Sequence, residues 1–339
     1  MELGGFGETI LVADFNNDTY IDIFVPNYWH LDDGGRYRLL INDGTGKFVD
    51  VAESAGVAMG THARPEGAQA LDFNEDGWID IYVGSQLLIN NKDLTFTDRG
   101  ADYNLPLLFD EGLKFSDMDL DGDLDLIHHD RQTTRLFLNE SGRFGEGIPF
   151  NDFSDTYGFG LNVCDINGDG FEDVIVADND SETGEGTPRL FINVGGQLQP
   201  SELAANQSAY NDLIVCADLN GDRSLDILAR HGGYRAWLSQ REDQDSIVVR
   251  VLGAGGQANQ QGRLVRVTPL EAPDYKMTRV VESGSGYMAQ GGYDLILGAP
   301  WHGDYEISVR FADGWITTLA TQGSSIVLYE DGRSEELLH

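Results

Sequence analysis

Short apolar runs alternate with acidic loops along the first two thirds of the chain. Each loop lies between an apolar run such as AQAL and an alternating run such as IDIYV. The five loops read DFNNDTYID at 14–22, DFNEDGWID at 72–80, DMDLDGDLD at 117–125, DINGDGFED at 165–173 and DLNGDRSLD at 218–226. Alternation of apolar and polar residues over this length predicts strands rather than helices on both sides of each loop.

Each loop belongs to a longer repeat, because the loop starts are 58, 45, 48 and 53 residues apart. A further strand-like piece follows in every unit, namely RYRLLIN, QLLINN, TRLFLNE, PRLFINV and YRAWLSQ. The first unit continues with NDGTGKF, which is typical of a tight hairpin. The unit therefore has four strands, and its tandem repetition predicts an all-β fold, a β-propeller of four-stranded blades. A linear β-solenoid is the alternative.

The sequence changes character near residue 244, where the fifth unit lacks its outer strand. We therefore expect a β-propeller at 1–243 and a small C-terminal β-domain at 244–339. The count of five loops does not decide whether the ring of blades is closed. Either one end of the chain completes the other, or the chain is a piece of a longer propeller.

The acidic loops have the composition of metal sites. Their pattern places Asp or Asn at positions 1, 3, 5 and 9, and the main-chain carbonyl of position 7 can add a fifth oxygen. Calcium prefers six to eight oxygen ligands of this kind. An EF-hand would need a bidentate Glu at position 12 and flanking helices. Position 12 is instead Val25, Val83, His128, Val176 and Ala229, so we reject the EF-hand and keep calcium, with up to five ions.

The predicted ligands are the residues at these five positions of every loop. They are Asp14, Asn16, Asp18, Tyr20 and Asp22; Asp72, Asn74, Asp76, Trp78 and Asp80; Asp117, Asp119, Asp121, Asp123 and Asp125; Asp165, Asn167, Asp169, Phe171 and Asp173; and Asp218, Asn220, Asp222, Ser224 and Asp226. Position 6 favours Gly for a left-handed turn. We therefore expect the second, third and fourth loops to bind best, since Thr19 and Arg223 occupy this position in the others. The third loop has the most carboxylates and should bind most tightly.

The composition limits the partners of the protein. Its 57 acidic and 22 basic residues give a net charge of −35, which excludes a basic footprint for nucleic acid. No apolar run approaches the roughly 18 residues of a membrane helix, and we expect no signal peptide within this chain. Cys164 and Cys216 are the only cysteines. A secreted disulfide scaffold would carry more cysteines, and these two precede their loops at slightly different offsets, so we expect two buried free thiols.

The connectors after the second strands should lie at the end of the propeller opposite the acidic loops. Histidines are frequent in these connectors and in the linkers between blades. They suggest ligand-binding candidates at His30, His62, Arg64 and His231, and an acid–base or metal site at His128, His129, Asp130 and Arg131. The alternative is polar loop decoration, since His and Asp are common in exposed turns.

The repeats resemble the FG-GAP or VCBS-type repeats of integrin α-subunit propellers and bacterial surface proteins, most closely in GFGLNVCDINGDGFEDVIV at 158–176. The end of the chain resembles the ASPIC/UnbV domain in SIVVRVLG, TRVVESGSGYMAQ, LILGAP and EISVRFADG. The pairing is similar to the cartilage acidic protein family. This resemblance implies calcium-stabilised proteins of the cell exterior, cell surface or periplasm. Most members lack an established catalytic activity.

Two functions follow as hypotheses. The first is a calcium-stabilised module for binding or adhesion to a protein or glycan. The second is an enzyme, a lyase or a cyclase of natural-product biosynthesis, which uses the propeller face opposite the calcium loops. The oligomeric state is left open.

Overall fold

The chain folds into strands, tight turns and one short helix. The computed structural model describes residues 9–27, 36–58, 65, 67–105, 112–130, 133–152, 156–157, 160–180, 182–183, 185–203, 210–241, 245–284 and 291–337. Within these ranges the one helix is a 3-10 turn at Gly100–Tyr103. None of the described helical residues forms a segment long and apolar enough to cross a membrane. The fold is therefore all-β, as the alternating pattern predicts.

The first three repeats each form a four-stranded antiparallel sheet in which strand order follows chain order. The first sheet has β1 (Leu11–Ala13), β2 (Asp22–Val25), β3 (Arg38–Asn42) and β4 (Phe48–Asp50). The second has β5 (Ala68–Leu71), β6 (Asp80–Val83), β7 (Gln86–Asn90) and β8 (Phe96–Asp98). The third has β9 (Gly112–Ser116), β10 (Asp125–His129), β11 (Thr133–Phe137) and β12 (Ile148–Asp152).

The last two repeats continue this arrangement. A two-stranded ladder of β13 (Thr156–Tyr157) and β16 (Asn179–Asp180) accompanies the fourth sheet. The fourth sheet has β14 (Leu161–Cys164), β15 (Asp173–Val176), β17 (Arg189–Val194) and β18 (Gln197–Ser201). The fifth has β19 (Asn211–Ala217), β20 (Asp226–His231) and β21 (Tyr234–Trp237). The fifth sheet thus has three strands in the described residues, in line with the predicted lack of an outer strand.

The five sheets are the blades of a β-propeller. Their first strands, β1, β5, β9, β14 and β19, lie next to one another in that order. Four apolar clusters join residues of neighbouring blades, such as Phe24 with Ile81, Tyr82 with Phe115, Ile127 with Val163, and Ile175 with Ile227. The second, third and fourth blades each lie between two other blades, so their second strands β6, β10 and β15 are buried at every residue.

The C-terminal part forms two further four-stranded sheets. One has the order β25 (Leu295–Leu297), β22 (Ile247–Leu252), β28 (Ser325–Tyr329) and β29 (Ser334–Glu336), and β22 and β28 are parallel. The other has the order β24 (Met277–Val280), β23 (Leu264–Pro269), β26 (Asp304–Phe311) and β27 (Gly314–Thr321). They share an apolar core that includes Val249, Val267 and Ile307. The predicted boundary at 243/244 falls on residues outside the described ranges and stays a prediction.

Cys164 and Cys216 form a disulfide bond, so the expectation of two free thiols is wrong. Cys164 ends β14 and Cys216 lies in β19, and both side chains are buried. These are the neighbouring first strands of the fourth and fifth blades, and their contact brings the two Cα atoms to 6.4 Å. Offsets counted along the chain could not reveal this contact, because it depends on how the blades stack.

Replacing both cysteines with alanine should lower the free energy of unfolding by about 2–4 kcal/mol, because the bond constrains a long loop of the unfolded chain. The two cysteines are separated by 52 residues. Urea unfolding of the wild type and of Cys164→Ala/Cys216→Ala, each with and without a reductant, checks this. The reductant should lower the midpoint of the wild type only. An equal response of both proteins to the reductant would contradict the disulfide.

Candidate metal centres

The five acidic loops lie together at one end of the propeller. Each loop connects the first strand of a blade to its second strand, and the first strands run side by side. The loops of successive blades are therefore neighbours in space. This places their carboxylates along one face of the molecule.

The last aspartate of each loop is a buried hydrogen-bond acceptor. Asp80 is fully buried; its Oδ2 accepts the N–H of Phe73 at 3.0 Å, and its Oδ1 accepts the N–H of Asn90 at 2.7 Å. The same two bonds recur at the other four positions, Asp22, Asp125, Asp173 and Asp226. This aspartate joins the start of its loop to the end of the third strand of the blade.

The remaining side chains of the second loop converge on its interior. Asp72 accepts the N–H of Asp76 at Oδ1 and the N–H of Gly77 at Oδ2, both at 2.9 Å. Asn74 donates from Nδ2 to Oδ2 of Asp76 at 3.1 Å, and Oδ1 of Asp76 accepts the N–H of Trp78 at 3.0 Å. The first, fourth and fifth loops repeat this network. Carboxylate and amide oxygens gathered in this way suit a hard cation.

Two residues of every loop adopt the left-handed backbone conformation. Position 6 does so in all five loops, including Thr19 (φ 78°) and Arg223 (φ 69°). Position 4 also does so, at Asn17, Glu75, Leu120, Gly168 and Gly221. No sequence signal marks position 4 as left-handed, because four residue types occupy it in the five loops. In the first, second, fourth and fifth loops these turns direct N–H groups of the loop at its first aspartate, as in an anion-binding nest.

The third loop differs from the others in a way that favours a cation. Asp117, Asp119 and Asp125 place carboxylate oxygens within 4.8 Å of one another. Asp117 is fully buried, and its Oδ2 accepts the N–H of Thr278 at 2.9 Å. Its Oδ1 has no hydrogen-bond partner among the described residues. A buried carboxylate oxygen without a partner is costly, and a bound cation would offset that cost. The side chains of this loop therefore fit calcium.

Burial raises the pKa of several aspartates in the first four loops, because removal from water penalises their charged form. The pKa of Asp125 rises to about 8, and those of Asp22 and Asp173 rise to about 7. Neighbouring carboxylates of the same loop raise these values further, whereas backbone N–H donors lower them. The first aspartates of three loops, Asp14, Asp72 and Asp165, have pKa values raised to about 6. Without a cation, the first four loops are thus partly protonated near neutral pH.

Four of the eight candidate residues at the opposite end lie within the described ranges, namely His128, His129, Asp130 and His231. His128 and His129 are consecutive residues of β10 and are buried, so their side chains point to opposite faces of the strand. Nδ1 of His129 lies 3.0 Å from Oγ1 of Thr134, and Asp130 accepts a bond from Arg135 at 2.6 Å. Of the remaining candidates, His231 ends β20, and Arg131, His30, His62 and Arg64 lie outside the described residues. The catalytic assignment stays a hypothesis.

The free energy of unfolding of the metal-free protein should fall as the pH rises through about 6 to about 8. An aspartate whose pKa is higher in the folded state holds its proton more tightly there, so stability is lost as it ionises. Urea unfolding in a chelator buffer at several pH values checks the slope. Saturating calcium should flatten it, because the cation replaces the protons. Stability that increases with pH in the chelator would contradict the raised pKa values.

Comparison with solved structures finds similar chains of low identity. The V. cholerae biofilm matrix protein Bap1 is 14% identical with a TM-score of 0.38, over 98% of this chain and 61% of that one. The extracellular domain of the putative one component system BT4673 from B. thetaiotaomicron is 10% identical with a TM-score of 0.40, over 97% of this chain and 43% of that one.

Comparison with curated proteins and families is more specific. Cartilage acidic protein 1 of Xenopus tropicalis is 30% identical in an alignment of 199 residues that covers 52% of this chain and 29% of that protein. The chain thus covers less than a third of that relative. The FG-GAP-like repeat matches residues 14–83, 117–176 and 165–229, which include all five acidic loops and more than half of the chain. The chain therefore belongs to the family of FG-GAP-like repeat proteins.

Proposed function

We propose that the protein is a calcium-stabilised scaffold that acts outside the cell, at the cell surface or in the periplasm. Its acidic loops would hold up to five calcium ions, and the other end of the propeller would bind a protein or a glycan. The main support for the calcium proposal is the third loop. Three carboxylates converge there, and Oδ1 of buried Asp117 has no hydrogen-bond partner among the described residues. The repetition of the same loop in five blades extends the proposal to the other four.

In the third loop the proposed ligands are Asp117, Asp119, Asp121 and Asp125, together with the main-chain carbonyl of Asp123. A bound calcium ion would supply two positive charges to a group that burial otherwise keeps partly protonated. The chain itself orients the carboxylate ligands. Backbone N–H groups of Met118 and Asn139 fix Asp125 at 2.9 and 2.7 Å, so this carboxylate is oriented before any ion arrives.

The disulfide and the charge of the protein support the proposed location. Disulfide bonds persist mainly in oxidising compartments, and Cys164–Cys216 joins two blades. Free calcium is also abundant outside the cell, where sites of modest affinity fill. The net charge of −35 favours a compartment in which cations are abundant, and it disfavours nucleic acid as the partner.

The proposed ligand surface is the propeller end opposite the acidic loops. Tyr234 follows the turn between β20 and β21 at that end, and its exposed fraction is 74%. Exposed aromatic rings are common anchors for proteins and sugars. Among the described residues at the same end, two arginines are paired with aspartates, as Arg135–Asp130 and Arg189–Asp178. An aromatic contact is therefore a more available recognition element there than a free charge.

Calcium should stabilise the protein, and the third loop should contribute most. An ion that binds only the folded state adds about 2.7 kcal/mol at a concentration one hundred times its Kd. We expect chelation to lower the Tm of the wild type sharply, and Asp117→Asn/Asp119→Asn to reduce that difference. Calorimetric calcium titration and melting with calcium or chelator check both expectations.

A charge-matched control for this pair is Asp304→Asn/Asp313→Asn, which changes two exposed aspartates of the C-terminal domain. The control should keep the calcium response of the wild type. A wild-type Tm that does not change with chelator would overturn the calcium sites. An equal calcium response in both double variants would remove the third loop from the proposal.

The binding role predicts a ligand on protein or glycan arrays probed in calcium. Tyr234→Ser should weaken the signal, because the exposed ring is lost without a change in the core. Leu319→Ser, at a 60% exposed residue of β27, is the control and should leave the signal unchanged. Arrays without any ligand, in calcium and in chelator, would count against a binding module.

A further inference from the structure

The C-terminal domain covers the acidic loops rather than extending away from the propeller. In every loop the main-chain carbonyl oxygen of position 6 accepts a hydrogen bond from this domain. The five bonds are Asn259 Nδ2 to Thr19 O at 2.7 Å, Arg263 Nη1 to Gly77 O, Thr278 Oγ1 to Gly122 O at 2.9 Å, Arg279 Nη2 to Gly170 O at 2.8 Å and Ser246 Oγ to Arg223 O at 3.1 Å. One domain therefore contacts the same atom of all five loops.

Arginines of this domain lie between neighbouring loops. Arg263 is buried, and it also donates to Oδ1 of Asn17 at 2.6 Å, so it bridges the first and second loops. Arg266 donates to Oε1 of Glu75 at 2.8 Å and to Gly122 O at 3.2 Å, which bridges the second and third loops. These side chains place positive charge between groups of carboxylates without occupying the loop interiors.

Two proposed calcium ligands are held directly by the domain. The N–H of Thr278 donates to Oδ2 of Asp117, and the N–H of Gly298 donates to Oδ2 of Asp165, both at 2.9 Å. The bond from Thr278 leaves Oδ1 of Asp117 as the oxygen without a described partner. Loss of groups that orient ligands in this way typically costs about 10- to 100-fold in metal affinity or activity.

The third loop also shares the apolar core of the domain. Leu120, at the left-handed position 4, is buried in the cluster that contains Val267 and Ile307. Its carbonyl accepts the N–H of Lys276 at 2.9 Å. A loop that opened or changed its turn would therefore withdraw a leucine from the core of the C-terminal domain. The conformation of this loop and the docking of the C-terminal domain therefore depend on each other.

We infer that the C-terminal domain is a positioning element of the calcium sites, and that cation binding and domain docking strengthen each other. This inference rests on the proposed calcium function. The domain binds each loop through the turn that gathers its carboxylates, so it favours the conformation that a cation also favours. By linkage, each event must then raise the affinity of the other by the same factor.

The double variant Arg266→Met/Thr278→Val tests this, because it removes both side-chain bonds to Gly122 O and no proposed ligand. We expect calcium affinity at the weakened site to fall about fivefold or more, within the usual range of coupling between sites. The matched control is Arg333→Met/Thr317→Val, which changes two exposed residues of the same domain. The control should bind calcium as the wild type does.

Unfolding with calcium and with chelator separates positioning from ordinary stability. A purely structural role would lower both free energies of unfolding equally, whereas positioning lowers the calcium value more. Wild-type calcium affinity in the folded double variant would overturn the coupling and leave the calcium sites intact. A wild type that binds no calcium would remove the proposed function, and the inference with it.

Hydrogen exchange of the wild type is a second test that needs no variant. Calcium should slow exchange of the Thr278 and Gly298 amides, which donate to Asp117 and Asp165. The amides of β27, at the far edge of its sheet, serve as the internal reference. Equal exchange at Thr278 and Gly298 with calcium and with chelator would contradict the coupling, even if the variants fail to fold.

Discussion

The buried aspartate that ends each acidic loop is the interaction on which the rest of the fold depends. A carboxylate removed from water is costly unless donors surround it. Asp173 finds them in the N–H groups of Ile166 at 3.0 Å and Asn193 at 2.8 Å. To bring both donors to this carboxylate, the loop must fold back towards its first residues, and the third strand must end beside the aspartate. The nine-residue loop length and the blade geometry follow from that one requirement.

An asparagine at the end of the third strand also connects two pairs of neighbouring blades. Asn90, whose N–H binds Asp80, also donates from Nδ2 to Phe15 O of the preceding loop at 2.8 Å. Asn193 makes the equivalent bond to Met118 O at 2.8 Å. These amides set the loops side by side and so concentrate negative charge on one face. The arginines of the C-terminal domain then have a physical reason to lie there, because they reduce the repulsion between neighbouring loops.

Local features of this molecule could be predicted from its sequence, and contacts between distant segments could not. The loops, the strands around them and the FG-GAP-like family all follow from a nine-residue pattern that repeats. The Asn at the end of the third strand was visible in pieces such as QLLINN, but only the structure gives it a role. Docking of the C-terminal domain joins Thr278 to Asp117 across 161 residues, for which no periodicity exists. The Cys164–Cys216 bond and the opposite directions of His128 and His129 likewise depend on blade packing and strand register.

Position 6 of the loops shows how tertiary contact changes the meaning of a sequence signal. Glycine there suggests a left-handed turn, yet Thr19 and Arg223 make the same turn with positive φ. What glycine adds is room, since a Cβ on Gly77 would lie 2.7 Å from Cα of Ala312. In the fifth loop, the Arg223 side chain instead donates to Ser246 O and Ser324 O at 2.9 and 3.0 Å. The choice of residue at this position thus reflects how the C-terminal domain approaches each loop, so it is not by itself a measure of calcium affinity.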